Sequence, residues 1–369
     1  MELRKIIGPG LVILLGIGLV GGLGISAFNK RHRDRMQGEA ESVVSVRGLV
    51  GSEKEAFYRD PRVMAAFKRL GLAVEVQKAG SREIASHPDL KQFDFGHPAG
   101  APAALKLQKT AKPNRIFTPF YTPVAVASWR TLVPLLESNG LVKRRDGAYY
   151  IIDFKRLLDM IAKGTRWREL KNNSVYDSGR AVLLSSTDVR KSNSAAMYLA
   201  LASYVLNDGN VVQSDEEVQK VLPTVSGLFL KQGLQEASSS GPFEDYVSMG
   251  MGKAPLVIVY EAQFLDYQSK LPQANPEMVL LYPEPTVFTK HVLVPLTANG
   301  IRVGEALTND RELQMLASEF GYRGADTVHF QAFLKQKNLF APTNLVDVID
   351  PPSFEILEKM IEAIAQRFQ

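Results

Sequence analysis

From Ile6 to Phe28 the chain reads IIGPGLVILLGIGLVGGLGISAF, an unbroken run of apolar or small residues, and nothing comparable recurs after residue 35. At about 1.5 Å per helical residue, a run of this length crosses a hydrocarbon core of roughly 30 Å. The expected layout is therefore a short N-terminal tip, one transmembrane helix within residues 1–35, and a large body confined to one compartment. The run exceeds the ~7–15 residue core of a secretory signal, which favours a retained anchor, while Gly24, Ser26 and Ala27 leave cleavage as the alternative. Gly16, Gly18 and Gly21 spell G-x-G-x-x-G, but that motif cradles a pyrophosphate only between a strand and a helix. Inside an apolar run, Gly18 and Gly22 suit helix packing in lipid instead.

Charge argues less simply. Arg4 and Lys5 precede the run, and Lys30, Arg31, Arg33 and Arg35 follow it with Asp34. Taken alone, the positive-inside rule places the body in the cytoplasm. The absence of cysteine from all 369 residues points the other way, towards export. It also excludes thiol catalysis, thiolate metal sites and a lipid-bearing cysteine. Residues 1–35 hold six Lys or Arg against Glu2 and Asp34, so most of the net +5 belongs to the anchor region. The body is nearly neutral and shows no basic stripe interleaved with aromatics, so a nucleic-acid partner is not expected. Lys143-Arg144-Arg145 reads as a solvated turn.

Downstream, residues 36–42 form a polar link and Val43–Val50 reads as a buried strand. A helix is expected over Glu53–Leu70, with Ser52 and Glu55 as a capping box and Gly71 as its stop. Leu72–Val76 is the next strand, Gly80-Ser81 opens a short helix, Phe93–Gly96 is a third strand, and Pro102–Lys109 is a helix. This alternation is that of a parallel sheet wrapped by helices. Ile116–Trp129 is extended, but Pro119 and Pro123 argue against a central strand there. Helices are expected over Leu132–Asn139, Phe154–Lys163, Asn193–Leu206, Glu216–Gln232 (where Pro223 is a candidate break), Phe243–Met249, Asp310–Phe320 and Ser353–Phe368. Strands are expected at Ala181–Ser185 and Leu256–Tyr260. Glu277–Leu296 resumes the extended, proline-marked character of 116–129. Two extended crossings between two α/β lobes predict a hinge and a cleft: residues 43–125 begin lobe 1, 126–281 form lobe 2, and 282–369 return and complete lobe 1.

Ligands of such sheets sit beyond the carboxyl ends of strands, against helix N-termini. Ser52, Ser81, Thr187, Ser192, Asn193 and Tyr260 stand at turns of that kind. Arg82, Arg190 and Lys191 are nearby cations, whereas Glu261 and Asp94 favour a cationic or amphoteric ligand. Ser52 and Ser192 also read as plain helix caps. No nucleophile elbow, zinc-helix pair or phosphate loop occurs, and His32, His87, His97, His291 and His329 are scattered. Neither catalysis nor a metal or cofactor is expected.

The segments STDVRKSNSAAMYLALASYV (186–205), APLVIVYEAQFL (254–265), LLYPEPTVFTKHVLVPLT (280–297) and DRELQMLASEFGYR (310–323) resemble bacterial extracytoplasmic solute-binding proteins of the type II periplasmic-binding fold. The likeness runs from Val43 to the C-terminus. It implies a two-lobed α/β body outside the inner membrane that holds a small polar or anionic solute for an ABC permease or a signalling partner. It also implies cleft positions at Ser52, Ser81, Thr187, Ser192, Asn193 and Tyr260. The family usually carries a cleaved signal or a lipidated cysteine, and this chain departs from that pattern. Two alternatives remain open: a protein-binding or signalling component on the same fold, and a cleft enzyme.

Overall fold

The computed structural model describes residues 43–145, 149–233, 235–325, 327–343, 345 and 347–368. The expected span over 6–28 lies outside the described residues. Among those described, no helix is long and apolar enough to cross a membrane.

The β-branched run after residue 43 forms β1 (Val44–Val50), which pairs in parallel with β2 (Leu72–Lys78) and β3 (Phe95–His97). Between β1 and β2 the expected single helix is broken. A 3-10 turn (Ser52–Lys54) leads into α1 (Glu55–Arg59), and Asp60 then caps α2 (Pro61–Arg69) by accepting from the Arg62 amide. The reason is Pro61: it has no N–H and biases Asp60 away from the helical region, so a new helix starts at its own N1 position. Gly71, at φ 72°, supplies the left-handed turn that returns the chain to β2.

Helix α3 (Ala101–Ala111) precedes β4 (Phe117–Trp129), the pivotal strand of the sheet. Its first half pairs antiparallel with β9 (Thr286–Pro295) from Phe117 to Pro123. Its second half pairs with β7 (Val257–Tyr260) and β8 (Met278–Glu284) from Val124 onward. The expectation that Pro119 and Pro123 bar a central strand is thus corrected. Pro119 falls in the register shift between Phe117 and Phe120, and Pro123 sits where the strand changes partners, so the missing N–H groups fall at irregularities of the ladder. Overall the strands run β2-β1-β3-β9-β4-β8, followed by β6 (Tyr149–Asp153) and β5 (Val142–Arg145), with β7 on β4 and β10 (Val348–Ile349) on β9. The Ala181–Ser185 segment is not a strand; only isolated bridges occur, at Ala181 to Arg166 and at Ser185 to Val257.

Helices α4 (Val133–Ser138), α5 (Phe154–Lys163), α6 (Asn193–Leu206) and α7 (Asp215–Leu230) cover the β8-β6-β5 side. Twelve of the fourteen α6 residues are buried, so it is a core helix rather than an amphipathic surface one. Pro223 does not divide α7, whose N-terminus is closed by a reciprocal Ser214–Glu217 capping box. Further elements are α8 (Ser240–Met249), α9 (Glu261–Lys270), α10 (Ala298–Asn309), α11 (Arg311–Glu319), α12 (Thr327–Gln336) and α13 (Phe354–Ala365).

The cores follow the two halves of the sheet. Val303, Leu307, Leu313 and Leu316 of α10 and α11 pack with Val46, Phe57 and Phe67 of the first half. The closing helix does not join them, against the expectation that all of 282–369 completes one lobe. Leu357, Met360, Ile361 and Ile364 form an i, i+3, i+4, i+7 stripe that packs with the α7 residues Val218, Leu222 and Val225. Phe330 and Phe333 of α12 likewise pack with Val257, Val259 and Leu280. An apolar stripe goes where a matching apolar face is open, and for α12 and α13 that face lies on the second half.

Candidate functional site

At the carboxyl end of β1 the Gly51 amide donates to the His97 carbonyl (3.2 Å), and the 3-10 turn Ser52–Lys54 starts at once. Ser52 does not cap a helix as expected. Its hydroxyl oxygen lies 2.6 Å from that of Ser238, on the loop before α8. Ser81, on the turn after β2, accepts from the Ala99 amide at 3.0 Å, which leaves its own proton free. From the other side come Ser192 and Asn193 at the start of α6 and Tyr260 at the end of β7. Asn193 Nδ2 donates to the Tyr260 hydroxyl at 3.3 Å.

Ser52, Ser81, Ser192, Asn193 and Tyr260 line one small cavity together with Glu53 and Ser238. The cavity holds about 10 Å³ of free space, room for about one water. Thr187 stands one hydroxyl behind that wall. Its Oγ1 is 2.9 Å from Ser194 Oγ, which is 2.9 Å from Ser192 Oγ. Ser192 is the N-cap of α6, yet its side chain makes no capping bond to the helix amides.

Sequence reasoning missed the charged floor of this cavity. Glu53 and Lys54 are ion-paired, and the Lys54 ammonium also lies 3.0 Å from His291 Nδ1. The Tyr322 phenol donates to the Glu53 carbonyl at 2.8 Å, and the Tyr58 phenol meets His97 Nδ1 at 2.8 Å. Burial pulls the Lys54 ammonium below its usual range, and the adjacent Glu53 partly offsets this. Burial, reinforced by the Lys54 charge, drives both His97 and His291 well below the usual imidazole value. Burial pushes the Tyr260 phenol up, with the Glu53 charge adding to it. The signal in the sequence was the pair Glu-Lys directly after Gly51-Ser52, at the start of the helix expected over 53–70.

Of the acidic and basic residues singled out earlier, Glu261, Asp94, Arg190 and Arg82 are engaged elsewhere, and Lys191 is exposed. Glu261 is fully buried and takes a two-point bond from Arg323, at 2.7 and 2.8 Å, plus the Tyr282 hydroxyl at 2.7 Å. Asp94 accepts from the Arg47 amide and the Thr297 hydroxyl. Arg190 is paired with Asp188. Arg82 donates to Glu358 on α13 at 2.7 Å and to the Arg190 carbonyl at 3.3 Å, which ties the β2 turn to the far side of the cavity. Among the described residues, no group of three or more His, Asp or Glu side chains is arranged to hold a metal ion.

No family model matches the chain, and none of the curated proteins compared with it matches. Solved structures do. The sulfate-binding protein SubI from Mycobacterium tuberculosis H37Rv aligns with a TM-score of 0.53 at 16% identity, covering 80% of this chain and 91% of its own. A periplasmic thiamin binding protein aligns at 0.52 and 10% identity, covering 89% and 97%. The apo ferric ion-binding protein A of Pasteurella haemolytica aligns at 0.54 and 12% identity, covering 87% and 96%. The chain therefore has the mixed α/β fold of the type II periplasmic binding proteins.

Proposed function

We propose that this chain is an extracytoplasmic solute-binding protein, held at the inner membrane by residues 6–28, that closes two lobes on a small polar solute and presents it to an ABC permease or a signalling partner. The lobes meet at β4 and β9, which act as the hinge. One observation carries the reading: hydroxyl and amide groups from both sides of the fold, on turns 52, 81, 192–193, 238 and 260, converge on one small cavity. Such a site selects the closed form only as far as the ligand binds it better than the open one. Catalysis is not part of the reading. Lys54 sits between Glu53 Oε1 and His291 Nδ1 and engages one atom of each.

Native mass spectrometry of the detergent-solubilised full chain, with identification of any retained small molecule, tests this. A ligand lost on Ser192→Ala and Tyr260→Phe supports the proposal. A second reading, a protein-binding component on the same fold, draws on the Ser52–Ser238 contact and the small free volume. An empty protein that also ignores a broad metabolite panel selects that second reading.

A further inference from the structure

We infer that the cavity is a seat for the protonated nitrogen of a primary amine or ammonium ion, not for an oxyanion. This rests on the solute-binding reading above and narrows its ligand class.

Size is the first argument. Space for about one water matches an –NH₃⁺ or NH₄⁺ group, whereas a tetrahedral oxyanion adds four oxygens around its centre. The second argument is the balance of donors and acceptors. Glu53 presents a carboxylate whose Oε2 has no hydrogen-bond partner among the described residues. A Cβ built on Gly51 would stand 2.5 and 2.7 Å from the two Glu53 carboxylate oxygens and 2.8 Å from Ser81 Oγ, so the carboxylate folds back over Gly51 towards Ser81. Asn193 is 1% exposed, and its Oδ1 is a buried acceptor with no partner. A buried acceptor left unpaired costs roughly 1–3 kcal/mol, and a ligand N–H removes that cost.

The third argument is charge. An oxyanion in this seat would meet the Glu53 carboxylate. Of the three flanking cations named from the sequence, Arg82 is spent on Glu358 and Arg190 on Asp188, and Lys191 is exposed and does not line the cavity. Lys54 is fully buried and already shared between Glu53 and His291. A three-donor nitrogen in this seat would draw on Glu53 Oε2 and a serine hydroxyl oxygen from one side and Asn193 Oδ1 from the other.

Isothermal titration of the full chain at constant ionic strength is the test, with methylammonium chloride, ammonium chloride and tetramethylammonium chloride against sodium sulfate and sodium molybdate. Saturable heat is expected for the first two only, since tetramethylammonium has no N–H and is too large. Glu53→Gln is expected to weaken methylammonium at least tenfold. Asn193→Leu leaves the Glu53–Lys54 pair intact and is expected to weaken it as well, and Asn193→Asp to tighten it. Sulfate or molybdate binding without amine binding overturns this inference and leaves the solute-binding reading standing. Amine binding that is indifferent to both Glu53→Gln and Asn193→Leu also overturns it. Silence towards every probe, with no small molecule retained in native mass spectrometry, overturns the inference and the reading together.

Discussion

The Ser52 and Ser238 hydroxyl oxygens lie 2.6 Å apart, although 186 residues separate them in the chain. Ser52 belongs to the turn after β1 and Ser238 to the loop before α8, so this bond spans the cavity and ties its two walls. Ser52→Ala removes it. A partly buried hydrogen bond contributes on the order of 1 kcal/mol net, so under the two-lobe closure proposed above the closed form is expected to lose roughly fivefold in population relative to the open one. Hydrogen exchange over residues 79–83 and 236–240 checks this: faster exchange in both segments is expected, with β1 unchanged. Unchanged exchange at both would show that the contact does not hold the walls together.

Glu261 and Arg323 form a buried ion pair behind the cavity, completed by the Tyr282 hydroxyl. Glu261→Gln leaves the guanidinium uncompensated in a site of low polarity, which costs about 3–5 kcal/mol. Replacing both partners, as Glu261→Leu with Arg323→Met, is expected to cost much less, because no charge stays behind. Urea unfolding of the two variants checks the order. Equal losses would refute the explanation from an abandoned charge.

His97 and His291 are fully buried and packed with Lys54, Tyr58 and Glu53. Their folded-state values are pulled well below the usual imidazole value of about 6.5. Between those values the unfolded chain binds more protons than the folded one. Stability is therefore fully present above about pH 6.5 and is lost as the pH falls below it, by up to about 1.4 kcal/mol per pH unit for each histidine. Melting temperatures measured from pH 8 to pH 5 are expected to fall below pH 6.5. The fall is expected to be shallower in His97→Asn, and an identical slope in that variant would exclude His97 as a source.

Gly300 lies in the first turn of α10, where a Cβ would stand 2.0 Å from the backbone oxygen of Asp94. In an open helix Gly→Ala stabilises by about 1 kcal/mol. Here the helix must move off the sheet, so Gly300→Ala is expected to destabilise by about 1–3 kcal/mol. The sign of the change in the unfolding midpoint decides it. Gly227, in α7, has nothing within 4 Å of its notional Cβ, and Gly227→Ala serves as the control, expected to stabilise.

Local pattern was sufficient for several elements. The spans of α5 and α6 match the expected Phe154–Lys163 and Asn193–Leu206, because Asp153 and Gly164 bound the first and twelve buried positions run through the second. Patterning was insufficient where one residue's role depends on a distant partner. Pro119 and Pro123 look like strand breakers until β9, β7 and β8 supply a register shift and a change of neighbour. Helices α9, α10 and α12 were not among the expected elements, and the β5–β6 hairpin read as a basic turn, because each takes its order from the sheet or core beneath it.

By itself the sequence determined the alternation of strands and helices, the two extended segments that become β4 and the β8–β9 pair, and the turns at Ser52, Ser81, Ser192 and Tyr260. These depend on periodicity, glycine and proline, which act within a few residues. Only the tertiary structure decided that those turns share one cavity, that Thr187 stands behind it, and that Glu53, paired with the buried Lys54, supplies its charge. The chemistry of that cavity depends on which groups lose water together and which partners they find there, and this is settled by contacts between residues far apart in the chain.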